Sequence, residues 1–161
     1  MKNLAYASIA LFAALVVQVP AHAQSVNVNL TKTLEIASDA ISVKLSMRRI
    51  RSENCVAPES WRWGAEGNCP SYLAESMIVT VGEHPIYIPL SAFIDLGDPR
   101  SVQLEPRRRK GRFAIVIRGG DAATSYEATL ELDKSQVLER VVRHGEFPEQ
   151  SWEKTTYKFN M

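Results

Sequence analysis

Apolar and polar residues alternate along most of this chain, and a period of two is satisfied only by extended strands that bury one face. Val26, Val28 and Leu30 alternate with asparagines, and Ile41, Val43, Leu45 and Met47 alternate with Ser42, Lys44 and Ser46. The run 77–81 is continuous and β-branched, which predicts a strand buried on both faces. Residues 82 and 83 turn the chain into 86–88. Segments 101–105 and 112–118 flank a basic stretch at 107–111. Tyr126, Ala128, Leu130 and Leu132 alternate with Glu127, Thr129 and Glu131. Asp133-Lys134 leads into 136–143, and Thr155, Tyr157 and Phe159 close the pattern. No segment sustains a 3.6-residue period. Residues 30–37 fit a helical turn or a strand extension. Residues 90–96 fit one helical turn, with Ser91 as cap and Gly97-Asp98-Pro99 as stop. Short connections favour antiparallel neighbours. The expectation is an all-β fold, an antiparallel β-sandwich or partly open barrel of about eight strands.

The N-terminus reads as an address. Lys2 is followed by an apolar stretch over 4–19, Pro20 breaks it, and Ala21-His22-Ala23 is a small-x-small cleavage site. This pattern predicts a secretory signal peptide over 1–23 and a single β domain over 24–161. A membrane anchor is the other reading, but the apolar core of about 15 residues is shorter than the ~20 a spanning helix needs. No membrane span is expected. The expected compartment is the periplasm.

Charge and cysteines narrow the partners. The whole chain of 161 residues carries 19 basic and 18 acidic side chains. Lys2 is the only charge in the leader, so the processed chain is balanced. That argues against nucleic acid, which requires a net basic face. Cys55 and Cys69 are an even pair in an oxidising compartment, and they read as a disulfide. Their spacing fits neither a Cys-x-x-Cys redox site nor a zinc site.

Two loops stand out as candidate contact surfaces. Residues 52–70 form the longest stretch without regular pattern, and Trp61 and Trp63 would share one face if it is extended. Tryptophan is favoured at the centre of contacts. The plainer reading folds both rings inward against the disulfide loop. The second loop, Gly119-Gly120-Asp121-Ala122-Ala123-Thr124-Ser125-Tyr126, joins two strands. Its glycines permit positive φ, Asp121 can hold the turn, Thr124 or Ser125 can project a hydroxyl, and Tyr126 an amphipathic ring. The plainer reading is a hairpin with Tyr126 in the core. Arg107, Arg108, Arg109, Lys110 and Arg112 form a basic patch, and Arg48, Arg49 and Arg51 a second. Either could meet an anionic envelope polymer or an acidic protein, or could be a solvated strand end.

Catalytic signals are sparse. Beyond the leader only His84 and His144 remain, far apart, so no metal centre and no cofactor are expected. No His-Glu-x-x-His, Gly-x-Ser-x-Gly or phosphate-cradling loop occurs. Glu146 and Glu149 are a formal carboxylate pair for acid–base work, and a hydrolase is the third reading.

The export signal, the strand-rich layout and the Ser125/Tyr126 loop resemble the bacterial periplasmic lysozyme inhibitors, in particular the invertebrate-type lysozyme inhibitor group. The resemblance spans residues 84–159 loosely and leaves the Cys55–Cys69 loop unmatched. It implies a β-sandwich that presses a serine- and tyrosine-bearing loop into a lysozyme cleft. On that reading Asp121 and Ser125 bond to the partner's catalytic carboxylates and Tyr126 fills a sugar subsite. The expected function is therefore a non-enzymatic binding protein of the periplasm that inhibits a lysozyme-like hydrolase by loop insertion. The alternative is an envelope structural or carbohydrate-binding module that contacts glycan through Trp61 and Trp63.

Overall fold

A computed structural model describes residues 28–36, 39–50, 63–65 and 69–159. Among these residues nine strands form two antiparallel meanders. The first sheet has the order β1-β2-β3-β4, from β1 (Val28–Ile36), β2 (Asp39–Arg49), β3 (Tyr72–Val81) and β4 (His84–Ile86). The second has the order β5-β6-β7-β8-β9, from β5 (Pro99–Pro106), β6 (Phe113–Gly119), β7 (Tyr126–Leu132), β8 (Val137–His144) and β9 (Ser151–Thr156). The two sheets share one core. Ile41, Val43, Leu45, Met77 and Val79 from the first meet Phe113, Ile115, Ile117, Leu130 and Leu132 from the second. The architecture is a β-sandwich and not a closed barrel.

The alternation decides which face is buried. Along β2, Ile41, Val43, Leu45 and Met47 are buried while Lys44 and Arg48 are exposed. β3 departs from the expectation of two buried faces: Ile78 is 54% exposed between the buried Met77 and Val79. An antiparallel sheet can leave one face to water, and here it does. The strand buried on both faces is β6, where Phe113, Ala114, Ile115, Val116 and Ile117 are all buried. Of the undecided segment 30–37, the described residues Leu30 to Ile36 are strand, paired to Leu45 through Asp39. The segment 90–96 holds only a short 3-10 turn, Leu90–Ala92, and its N-cap is Pro89 rather than Ser91.

The crossing between sheets is anchored by a buried cation. Arg140 of β8 is 2% exposed. Its Nη1 donates to the Ser91 carbonyl at 2.6 Å, and its Nη2 donates to the Asp95 carboxylate at 2.7 Å. Phe93 and Leu96 of the same crossing are buried beside it. Asp98 then turns the chain at φ 43°. Its carboxylate accepts the amides of Ser71 and Tyr72 at 3.1 and 2.8 Å. These bonds fix the first sheet against the start of β5. Among the described residues no helix is long and apolar enough to cross a membrane.

Candidate binding site

Gly119, Tyr126 and His144 stand in register across β6, β7 and β8. The connections that leave these positions, 120–125 and 145–150, therefore converge on one end of the second sheet. A Cβ at Gly119 would lie 2.5 Å from the Tyr126 hydroxyl and 2.7 Å from the Asp98 carbonyl oxygen, so the tyrosine ring occupies the space a side chain would need. Gly120 has φ +68°, and a Cβ there would come 2.9 Å from the Cα of Gly64. Left-handed backbone at this point favours glycine, and the contact brings residues 63–65 directly onto the loop.

The loop tip is a single 3-10 turn, Ala122–Thr124. The Thr124 hydroxyl donates to the Asp121 carbonyl at 2.8 Å and accepts the Asp121 amide at 3.2 Å. Gly145 N–H donates to the Ser125 carbonyl at 2.8 Å and ties the two connections together. The Asp121 carboxylate points to solvent 3.9 Å from Arg100, with side chains 78% and 63% exposed. An ion pair that open adds little rigidity.

Beside this loop lies an aromatic cluster. Trp63 donates its amide to the Asp95 carbonyl at 3.0 Å and accepts from Gly97 at 2.7 Å. Its half-buried ring stacks on Trp152 of β9, with centroids 5.2 Å apart and planes 8° from parallel. His144 meets Trp152 edge-on at 5.0 Å and Phe147 at 4.9 Å. The His144 Nδ1 accepts the amides of Glu146 and Phe147 at 3.0 and 3.2 Å, which requires a lone pair there and curls the 145–150 turn over the ring. The result holds two large apolar rings at the surface: Trp152 is 37% and Phe147 49% exposed. Aromatic pairs in such geometries are worth about 0.5–1.5 kcal/mol beyond their burial. Asp121, Glu146 and Glu149 are exposed on the same two connections.

The expected site residues separate into four groups. Asp121 is exposed and Thr124 half-exposed, as a contact loop needs. Tyr126 corrects the expectation of a projecting ring. It is 1% exposed, and burial, with Asp95 and Asp98 nearby, holds its phenol well above the ordinary tyrosine range. The β7 alternation carries Tyr126 inward with Ala128 and Leu130, and no partner can reach it. Ser125 is corrected in the same sense, because its Oγ is buried against Gly145 and makes no hydrogen bond in the fold. Trp63 joins the surface cluster. Trp61 and Cys55 lie outside the described residues, as does the leader over 1–23, so the Cys55–Cys69 pairing lies outside them too. Trp152 and Phe147 did not stand out in the sequence, and His144 was noted there only as an isolated histidine. Their signal was an aromatic at each side of a Gly-Glu-Phe-Pro turn joining two strands.

Among the described residues, no group of three or more His, Cys, Asp or Glu side chains is placed to hold a metal ion. Glu146 and Glu149 are both exposed to solvent. No protein-family model, characterised protein or solved structure matches this chain.

Proposed function

We propose that this is an exported, non-enzymatic binding protein of the periplasm whose contact surface is the Trp63–Trp152–His144–Phe147 cluster with the adjoining 121–124 tip. The single observation that carries this reading is the pair of half-exposed rings, Trp152 and Phe147, held by stacking and edge contacts on a β scaffold. Aromatic centres with polar rims are the composition of protein contact sites, and rings fixed before binding lose little entropy on association. The exposed Asp121, Glu146 and Glu149 suit a basic partner. A lysozyme-like hydrolase is the partner class we favour, with steric obstruction of its cleft as the mechanism. Insertion of Tyr126 has no part in it.

The stacked indoles favour one other reading, an envelope module that packs its rings on the apolar faces of a glycan. One experiment separates the two. The purified protein is titrated into activity assays of lysozymes from different classes, using a soluble substrate, and is sedimented in parallel with insoluble peptidoglycan. Stoichiometric inhibition of one lysozyme class without sedimentation supports the protein partner. Sedimentation without inhibition supports the glycan. The absence of both inhibition and sedimentation would overturn the binding-protein reading. In the exported protein we also propose a Cys55–Cys69 bond, which would constrain the segment that delivers Trp63. Mass spectrometry should find two hydrogens fewer than the free-thiol chain.

A further inference from the structure

The outer face of the second sheet carries a separate groove of about 460 Å³, lined by Arg107, Arg108, Arg109, Thr129, Glu131, Glu139, Val141 and Arg143. Its floor is the outward row of β7 and β8, where Thr129 pairs with Val141 and Glu131 stands opposite Glu139. Its wall is the 107–109 tip between β5 and β6. Two like charges directly opposite each other destabilise a sheet unless each is neutralised. Here each has its own cation: Arg112 holds Glu131 at 2.7 Å, and Lys154 holds Glu139 at 2.9 Å. Neither of those cations lines the groove. Arg107 is engaged by Glu105 at 3.1 Å. Arg108, Arg109 and Arg143 form no ion pair among the described residues, and Glu127, opposite Arg143 in the register, is held by Arg118 at 2.7 Å.

We infer that this groove binds a phosphate group, with Arg108, Arg109 and Arg143 as its ligands. The floor carboxylates are already neutralised, so the uncommitted guanidinium groups set the local sign. Three planar forks around one cavity suit a tetrahedral oxyanion, which takes a bidentate pair from each of several directions. The volume lies in the range that encloses a small organic ligand. It therefore accommodates a phosphate together with the sugar or glycerol that bears it. The groove lies on the outer face of the sheet, borders the aromatic cluster only where Arg143 precedes His144, and does not depend on the function proposed above. The phosphate's source is either a soluble ester or a membrane headgroup.

The test uses the full purified protein at low ionic strength with two probes, glycerol 3-phosphate followed by calorimetry and vesicles of phosphatidylglycerol in phosphatidylcholine followed by co-sedimentation. The expected result is binding of at least one probe, weakened tenfold or more in Arg108→Ala/Arg109→Ala and in Arg143→Gln. Binding of glycerol 3-phosphate assigns a soluble ester, and binding of vesicles alone assigns a headgroup. Arg108→Lys/Arg109→Lys should lose several-fold, because lysine keeps charge but not the fork. The inference is overturned if neither probe binds, if the alanine pair or the Arg143→Gln variant binds as tightly as the parent, or if the lysine pair does. Residues 108 and 109 are exposed at a hairpin tip, and unchanged melting temperatures establish that the variants are folded.

Discussion

Two residues bear most of the consequence at the residue scale. Arg140 is the largest fully buried side chain, and its bonds to Asp95 and the Ser91 carbonyl tie the crossing segment to β8. Removing Asp95 leaves the buried Arg140 only its longer ionic contact with Glu153 at 3.7 Å, so Asp95→Ala should lower unfolding free energy by about 3 kcal/mol, the low end for breaking a buried pair. The double change Arg140→Met/Asp95→Leu should recover most of that, and urea denaturation of the three proteins checks it. Tyr126 makes the opposite case. Its buried hydroxyl makes no hydrogen bond, so Tyr126→Phe should leave stability at neutral pH unchanged or raise it. Its folded-state pKa is raised above the ordinary value of 10.0, mainly by burial. The folded protein therefore holds this proton more tightly than the unfolded chain. The contribution is complete below about pH 10 and is lost as pH rises through the folded value. Melts between pH 9 and 11 should show a shallower alkaline decline in Tyr126→Phe than in the parent. An identical decline would contradict the assignment.

At the scale of elements, the β7–β8 connection shows how one side chain sets a turn. The Asp133 carboxylate accepts the Ser135 amide at 2.8 Å, the Ser135 hydroxyl at 2.7 Å and the Gln136 amide at 2.9 Å. Partial burial raises its pKa, but these three bonds, with Arg112 nearby, outweigh that and hold it below the ordinary value of 3.8. Its contribution is present above that pH and is lost as pH falls through the folded value. Asp133→Ala should cost about 1 kcal/mol at pH 7 and less at pH 2.5, measured by denaturant melts at both. The strands were legible because alternation is a local property: β2, β7 and β8 lie where the pattern put them. β9 was not, since it begins at Ser151 and not at Thr155, and its polar composition on a sheet edge leaves little alternation to read. The Tyr126 loop misled for a related reason. Glycines at 119 and 120 look like freedom to project, whereas Gly119 is there because the Tyr126 ring has turned inward over it.

The whole molecule is a sandwich whose second sheet carries two chemically distinct regions. One end gathers stacked aromatic rings and acidic groups, and the outer face holds an arginine-lined groove. The sequence offered Trp63 and the 107–112 basic patch, but not Trp152 or Arg143, which complete each region. Trp63 and Trp152 lie 89 positions apart, and only the fold stacks them. The central claim is that the aromatic end is the contact surface. The most direct measurement is the affinity of the Phe147→Ala/Trp152→Ala protein for the hydrolase or glycan that the parent binds, taken beside its melting temperature. A loss of about 2 kcal/mol or more, the scale of interface hot spots, with the fold retained, is the predicted result. Undiminished affinity in the folded double variant would contradict the claim.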